Sequence, residues 1–399
     1  MKPISFILPS RNNLKYLKQA YESIRKNSSV EHEICIADDF SDDGTMEWVL
    51  VQMKRDKNIK FHRNHGPTRL GHTILYDKLI NDYATNDVVI IFHADMYLCP
   101  NADKEIEKYI QPGRVVSLTR IEPPLHPDGP EKILKDFGIE PEEFKEEKLL
   151  KYVENSEDKK PTFGIFAPWA IMKEDFQRIG GHDPLYAPQS KEDSDIFNRF
   201  VLNGYELIQT WKGFVYHMTC RGSRFKDGAL RNPAGQVFMK GRESSEWLEQ
   251  NLRSTRNFIR KWGHMVKHDA MMYPIIPPKY DIGFIVKNCD FKHMNELEPW
   301  CSTLYSEYTG VIESYIKHEQ KNTAFDLSSK LKHDYSNDYD NDILIEFDAE
   351  KLTADNFQVI VNLSEMLKDS GEIGKMEYDI YKFDIKSMKT YERDLINVV

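Results

Sequence analysis

His93 and Asp95 stand one residue apart at the end of Val88-Val89-Ile90-Ile91-Phe92, an uncharged run rich in β-branched side chains. Residues two apart on an extended chain point to the same side, so this imidazole and this carboxylate can meet one cation or one phosphate. The same pair would also serve as the polar turn that ends a strand. So apolar a run reads as a strand buried on both faces of a parallel sheet, and open α/β sheets gather ligands off such C-terminal ends.

Three further groups suit the same kind of crevice. His32–Ala37 reads as a second strand, stopping at Asp38-Asp39-Phe40-Ser41-Asp42-Asp43-Gly44-Thr45. A carboxylate at Asp39 can accept from a ribose hydroxyl or a base imide, and one of the two aspartates also suits the cap of the following turn. Glu192, Asp193 and Asp195 crowd the start of a helix that carries Ile196, Phe197 and Phe200. Acids there complement the helix dipole in any case. His217 interrupts Phe214-Val215-Tyr216-His217-Met218, where a lone histidine is ordinarily a core side chain bonded to backbone.

The elements that must position these residues alternate. Ile4–Leu8 is a strand, followed by Leu14, Leu17, Tyr21 and Ile24 at helical spacing. A helix containing Trp48, Val49 and Leu50, a strand at 59–61, a break at His65–Gly71, a helix over 72–83 and the strand at 88–92 come next. This alternation predicts a doubly wound, mostly parallel sheet flanked by helices, with right-handed crossovers. Residues 114–121 add a strand, and 122–160 read as a charged surface insertion whose best helix covers 142–153.

Ile4-Ser5-Phe6-Ile7-Leu8-Pro9-Ser10-Arg11-Asn12, followed by Glu33-Ile34-Cys35-Ile36-Ala37-Asp38-Asp39, resembles the opening of a family-2 glycosyltransferase with the GT-A fold. The Gly180-Gly181 turn, the Glu192-Asp193-Ser194-Asp195 helix start and Gly204-Tyr205 at its end match that family too, so the resemblance covers about residues 3–220. It implies that Asp39 contacts the nucleotide base, with Pro9, Arg11 and Arg69 as further nucleotide contacts. His93-Ala94-Asp95 takes the place of the family's Asp-x-Asp motif, so Asp95 would bind a divalent metal, with His217 completing the shell and His93 as a third candidate. Imidazole suits Mn²⁺ and is a poor ligand for Mg²⁺, so Mn²⁺ is expected ahead of Mg²⁺. Asp193 would be the general base of an inverting transfer. Arg221 and Arg224, whose forks suit phosphate oxygens, and Asp195 would contact the diphosphate or the acceptor. The donor implied is a nucleotide-diphosphate sugar, a UDP-sugar first, and the acceptor a hydroxyl, with an anionic acceptor favoured by the basic segment. Two other readings stand beside it: a non-catalytic nucleotide-sugar or glycan-binding protein on the same scaffold, and a sugar nucleotidyltransferase. The latter would need a glycine-rich basic loop after the first strand, which Pro9-Ser10-Arg11-Asn12 is not.

With 399 residues the chain is too long for one core. The domains expected are a GT-A domain over 1–272, a proline-rich junction at 273–280 and a small acidic α/β or α+β domain over 281–399. In that last domain 281–287, 343–347 and 376–385 read as strands and 300–317 and 353–369 as helices, and no internal repeat is apparent. The net charge of −10 is uneven: residues 290–399 hold 12 basic and 23 acidic side chains, whereas 212–261 hold 11 basic and 4 acidic. An acidic whole argues against general nucleic-acid binding. The basic segment includes an amphipathic helix over 244–262, suited to an anionic membrane surface, an anionic acceptor or an acidic neighbour in the fold. Five unpaired cysteines, an N-terminal apolar run too short for a secretion signal and apolar runs too short to span a bilayer lead to the expectation of a soluble cytoplasmic protein with peripheral membrane contact at most.

Overall fold

The computed structural model describes residues 2–157, 159–219, 229–239, 244–334 and 339–397. The chain forms two compact units, Met1–Gln250 with His268–Ile275, and Asn251–Lys267 with Ile276–Val399. The division does not follow the proline-rich stretch alone, because 251–267 group with the later residues and 268–275 return to the first unit.

The first unit runs β1 (Ile4–Ser10), α1 (Leu14–Asn27), β2 (His32–Asp39), α2 (Thr45–Arg55), β3 (Ile59–Asn64), α3 (Gly71–Lys78), β4 (Val88–Ile91), β5 (Met96–Leu98), α4 (Ala102–Tyr109), β6 (Arg114–Glu122), β7 (Lys132–Leu134) and α5 (Glu146–Glu154). It continues with β8 (Thr162–Phe163), β9 (Trp169–Met172), α6 (Lys173–Arg178), α7 (Glu192–Leu202), β10 (Glu206–His217) and the hairpin β11 (Ala229–Arg231) and β12 (Val237–Met239). The helix α8 (Ser245–Trp262) begins in this unit. The main sheet has the order β3-β2-β1-β4-β9-β6-β10-β5, with β7 on β6 and β8 on β10. β1, β2, β3 and β4 pair in parallel, and β9 and β5 enter antiparallel. The uncharged runs of β1 and β4 follow from this placement, since Phe6, Ile7, Leu8 and all of Val88–Phe92 are fully buried.

Two details differ from expectation. The helix at 72–83 leaves α geometry after Lys78 and ends in a π turn over Leu79–Tyr83. The charged insertion is more than a solvated surface: β7 extends the sheet beside β6, and Phe137 and Leu149 join Tyr97 and Tyr216 in a small core of their own.

The second unit contains β13 (Ile282–Lys287), α9 (Phe291–Leu297), β14 (Thr303–Ser306), α10 (Thr309–Glu319), α11 (Leu327–Lys330), β15 (Leu331–His333), β16 (Ile343–Asp348), α12 (Phe357–Val361), α13 (Leu363–Ser370), β17 (Gly374–Tyr378) and β18 (Tyr381–Ile385). Its sheet order is β15-β14-β13-β16-β18-β17, parallel up to β16 and antiparallel beyond it. The segment read as one helix over 300–317 is a strand and then a helix. The strand read over 376–385 is a hairpin turned at Asp379, whose φ is +54°.

The basic segment gains a structural role here. In the second unit Arg260 is buried and pairs with Glu298 at 2.7 Å and Glu319 at 2.6 Å, and Arg256 reaches Glu319 at 3.0 Å. Those charges are consumed inside the fold rather than offered to an anionic surface. Among the described residues no helix is long and apolar enough to cross a membrane.

Candidate active site

The end of β4 is fixed to its neighbours by backbone. The amide of Phe92 donates to Ile7 O at 3.1 Å, and the amide of Met218, just past β10, donates to Asp95 O at 3.0 Å. The second bond brings His217 beside the His93-Ala94-Asp95 turn, although the two lie more than a hundred residues apart. Donor atoms of His93, Asp95 and His217 all lie within 4.8 Å of one another. His217 Nε2 is 3.4 Å from Asp95 Oδ1, and its Nδ1 is 2.9 Å from Glu122 Oε1. Burial disfavours a charged His217, but Asp95 and Glu122 outweigh it and lift this imidazole to about 9. His93 goes the other way: burial, then the charge on His217, pushes it down to about 3. Burial alone would raise Asp95, yet His217 holds it below the usual carboxylate range. Two imidazoles and a carboxylate converging in this way fit a divalent transition metal by donor chemistry and fit Mg²⁺ poorly.

A second wall comes from α3. Asp39 is buried at the end of β2 and accepts from the amides of Leu70 at 3.0 Å and Gly71 at 2.8 Å, and from Asn64 Nδ2 at 2.7 Å. It anchors the loop that opens α3. Gly71 sits at φ +75°, where a Cβ would strike the carbonyl of Pro188, so only glycine permits this approach. His72 and Tyr76 follow, four apart on one helical face, and both line the cavity. Asp77 binds His182 through its amide at 2.9 Å and its Nδ1 at 2.6 Å, tying α3 to the Gly180-Gly181 turn.

The third wall is the start of α7. Glu192 and Asp193 line the cavity. Burial raises both carboxyls, and for Glu192 the neighbouring Asp193 charge adds to it. A carboxylate made more basic in this way is a better proton acceptor near neutrality. Asp195 is placed differently from expectation. It is fully buried, and Arg199 Nε donates to it at 2.8 Å, while the same guanidinium donates to Ile179 O at 2.8 Å and Gly181 O at 2.6 Å. An aspartate committed to that pair locks α7 to the Gly-Gly turn and is withheld from any diphosphate or acceptor.

Pro9, Ser10, Arg11 and Asn12 close the space from the end of β1, and Arg69, Gln189 and Trp247 line it as well. Arg69 Nη2 donates to Gln189 Oε1 at 2.5 Å, and Glu246 lies 3.4 Å from Arg69 and 3.9 Å from Arg11. The cavity they bound has a volume of about 560 Å³, ample for a small polar ligand.

Of the residues singled out from the sequence, Pro9, Arg11, Arg69, His93, Asp95, Asp193 and His217 therefore share one cavity. Asp39 does not line it and acts one step back, its Oδ2 3.8 Å from Arg69 Nε. Arg221 and Arg224 lie outside the described residues. His72, Tyr76 and Trp247 escaped the sequence reading as cavity residues. The first two share the i, i+4 face of a helix predicted only as a packing element, and Trp247 lies on the amphipathic helix expected over 244–262.

Fold and site together define a GT-A-type α/β domain with a cation-and-carboxylate crevice at its strand ends. Residues 5–180 match the family model of glycosyl transferase family 2. No curated protein matches the chain. Among solved structures, GalNAc-T7 with UDP, GalNAc and Mn²⁺ is 16% identical with a TM-score of 0.44, covering 64% of this chain and 48% of that one. TarS 1–349 of S. aureus is 14% identical with a TM-score of 0.39, and its complex with UDP is 16% identical with a TM-score of 0.40; each match covers 54% of this chain and 60% of that one. The chain thus spans about half to three-fifths of the structures it resembles.

Proposed function

We propose that this chain transfers a sugar from a nucleoside-diphosphate sugar, UDP being the first nucleotide to try, to a hydroxyl of an acceptor, inverting the anomeric carbon. The observation that carries this reading is one cavity holding a His-Asp-His cluster, a basic carboxyl at Asp193 and the guanidiniums of Arg11 and Arg69. A divalent ion held by His93, Asp95 and His217, Mn²⁺ ahead of Mg²⁺, would supply Lewis-acid neutralisation of the departing diphosphate. The chain's own groups do the rest. Arg11 and Arg69 hold phosphate oxygens, and the Pro9–Asn12 loop borders the nucleoside. Asp193 accepts the proton of the acceptor hydroxyl as its oxygen bonds to the anomeric carbon. The bond from that carbon to the diphosphate oxygen breaks in the same step, releasing the nucleoside diphosphate. Asp39 contributes by fixing the loop that carries Arg69.

Thermal denaturation of the full chain with each nucleoside diphosphate, with and without Mn²⁺, tests the donor side. One nucleotide should raise the midpoint selectively, and more so with Mn²⁺. No shift with any nucleotide would count against the reading.

A further inference from the structure

We infer that Glu122 is the positioning residue of the metal cluster: it orients His217 so that Nε2, rather than Nδ1, faces Asp95 and the ion. This rests on the proposed metal-assisted transfer. Glu122 ends β6 and His217 ends β10, and these strands run parallel with Ile121 paired to Tyr216, so the two side chains fall next to one another at the sheet's rim. The Glu122 side chain is 1% exposed, and its Oε1 accepts from His217 Nδ1 at 2.9 Å. That hydrogen bond occupies Nδ1 and leaves Nε2 as the free ligand atom, already turned toward Asp95.

What makes the arrangement more than a buried ion pair is its own support. Arg120, two residues back on β6, donates to the same Oε1 at 2.9 Å, and its guanidinium stacks on Phe166 with 3.9 Å to the ring centre. Lys132 of β7, opposite Arg120 in the register, stands 3.7 Å from Oε2. Two cations therefore flank Glu122, and one of them, Lys132, is supplied by the charged insertion. Oε2 has no hydrogen-bond partner.

The test is Mn²⁺ binding to the full chain, followed by loss of the free-ion electron paramagnetic resonance signal, with circular dichroism as the check on folding. Glu122→Gln should weaken Mn²⁺ about 10- to 100-fold. Glu122→Asp should recover part of that loss. Arg120 and Lys132 also face Glu131 Oε1, at 3.5 and 3.8 Å, so the glutamine variant still leaves them one carboxylate; Glu122→Gln/Lys132→Met, which removes one charge of each sign, is measured beside it and should bind as weakly. Folded variants that bind Mn²⁺ within twofold of the wild type would overturn the inference and leave the metal reading standing. A wild-type chain that takes up no Mn²⁺ would overturn the metal reading, and this inference with it.

Discussion

The two units build the same run of strands and use it differently. In the first, β3-β2-β1-β4 lie parallel and β9 follows antiparallel; in the second, β15-β14-β13-β16 lie parallel and β18 follows antiparallel. Even the lettering corresponds at the critical end: Phe92-His93-Ala94-Asp95 follows β4 and Phe347-Asp348-Ala349-Glu350 closes β16. Yet Asp348 is spent locally, accepting from Asn288 Nδ2 at 3.0 Å and from the amide of Glu350 at 3.1 Å, while the amide of Asn288 donates to Glu307 at 3.1 Å. The first unit adds β6, α7 and β10, which deliver Glu122, Asp193 and His217 to the rim. Strand order provides a place for a ligand. Chemistry needs groups from later elements that the local turn does not already satisfy.

The sharpest way to break this comparison is to treat the two ends alike. Asp193→Asn should lower the rate of sugar transfer about 10²- to 10⁴-fold, the usual range for a positioned base, while nucleotide and Mn²⁺ binding persist. Asp348→Asn should leave the transfer rate unchanged. A steady-state assay of nucleoside diphosphate release reads both, and full activity in the first variant or collapse in the second would dissolve the contrast.

The second unit's charged groups should matter for stability instead. Glu298 is fully buried against Arg260 and Lys330, each at 2.7 Å, with Tyr315 Oη donating at 2.9 Å. Glu298→Ala strands those cations in the core and should cost about 3–5 kcal/mol in urea-induced unfolding. A loss below about 1 kcal/mol would mean the pair is solvated and that the basic helix is free for another partner.

Much of the first unit was legible because parallel strands buried on both faces read as unbroken apolar runs, as in Val88–Phe92. His93, Asp95 and Asp193 were legible as neighbours because the resemblance grouped them, and all three line the same cavity. The placements of Asp39 and Asp195 were not legible, for a common reason. A carboxylate at an element's end looks the same in sequence whether it faces a ligand, the amides of Leu70 and Gly71, or Arg199. The repeated strand order was hidden too. β14 and β15 have four and three residues, too short for a period to register, and Asp379 turns the last hairpin without a glycine or proline to announce it.

The finest distinction between the units is the sign of their response to pH. Burial, and then the charge of Lys330, lowers Lys279 to about 7, with Nζ donating to Arg260 O at 2.9 Å. An unfolded lysine titrates near ~10.4, so between these values the unfolded chain holds the extra proton and folding stability rises with pH, by at most ~1.4 kcal/mol per unit. Glu192 is the mirror case. Its folded carboxyl is raised, so above the ordinary glutamate range the folded chain holds the extra proton, and stability falls as pH climbs toward the raised value. Urea unfolding from pH 5 to 10 should therefore show a smaller alkaline rise in Lys279→Met and a shallower fall above pH 5 in Glu192→Gln, where Asp193 and His217 still contribute. Profiles that superpose on the wild type would show that neither buried group carries the charge state assigned to it, and this contrast in pH response between the units would be lost.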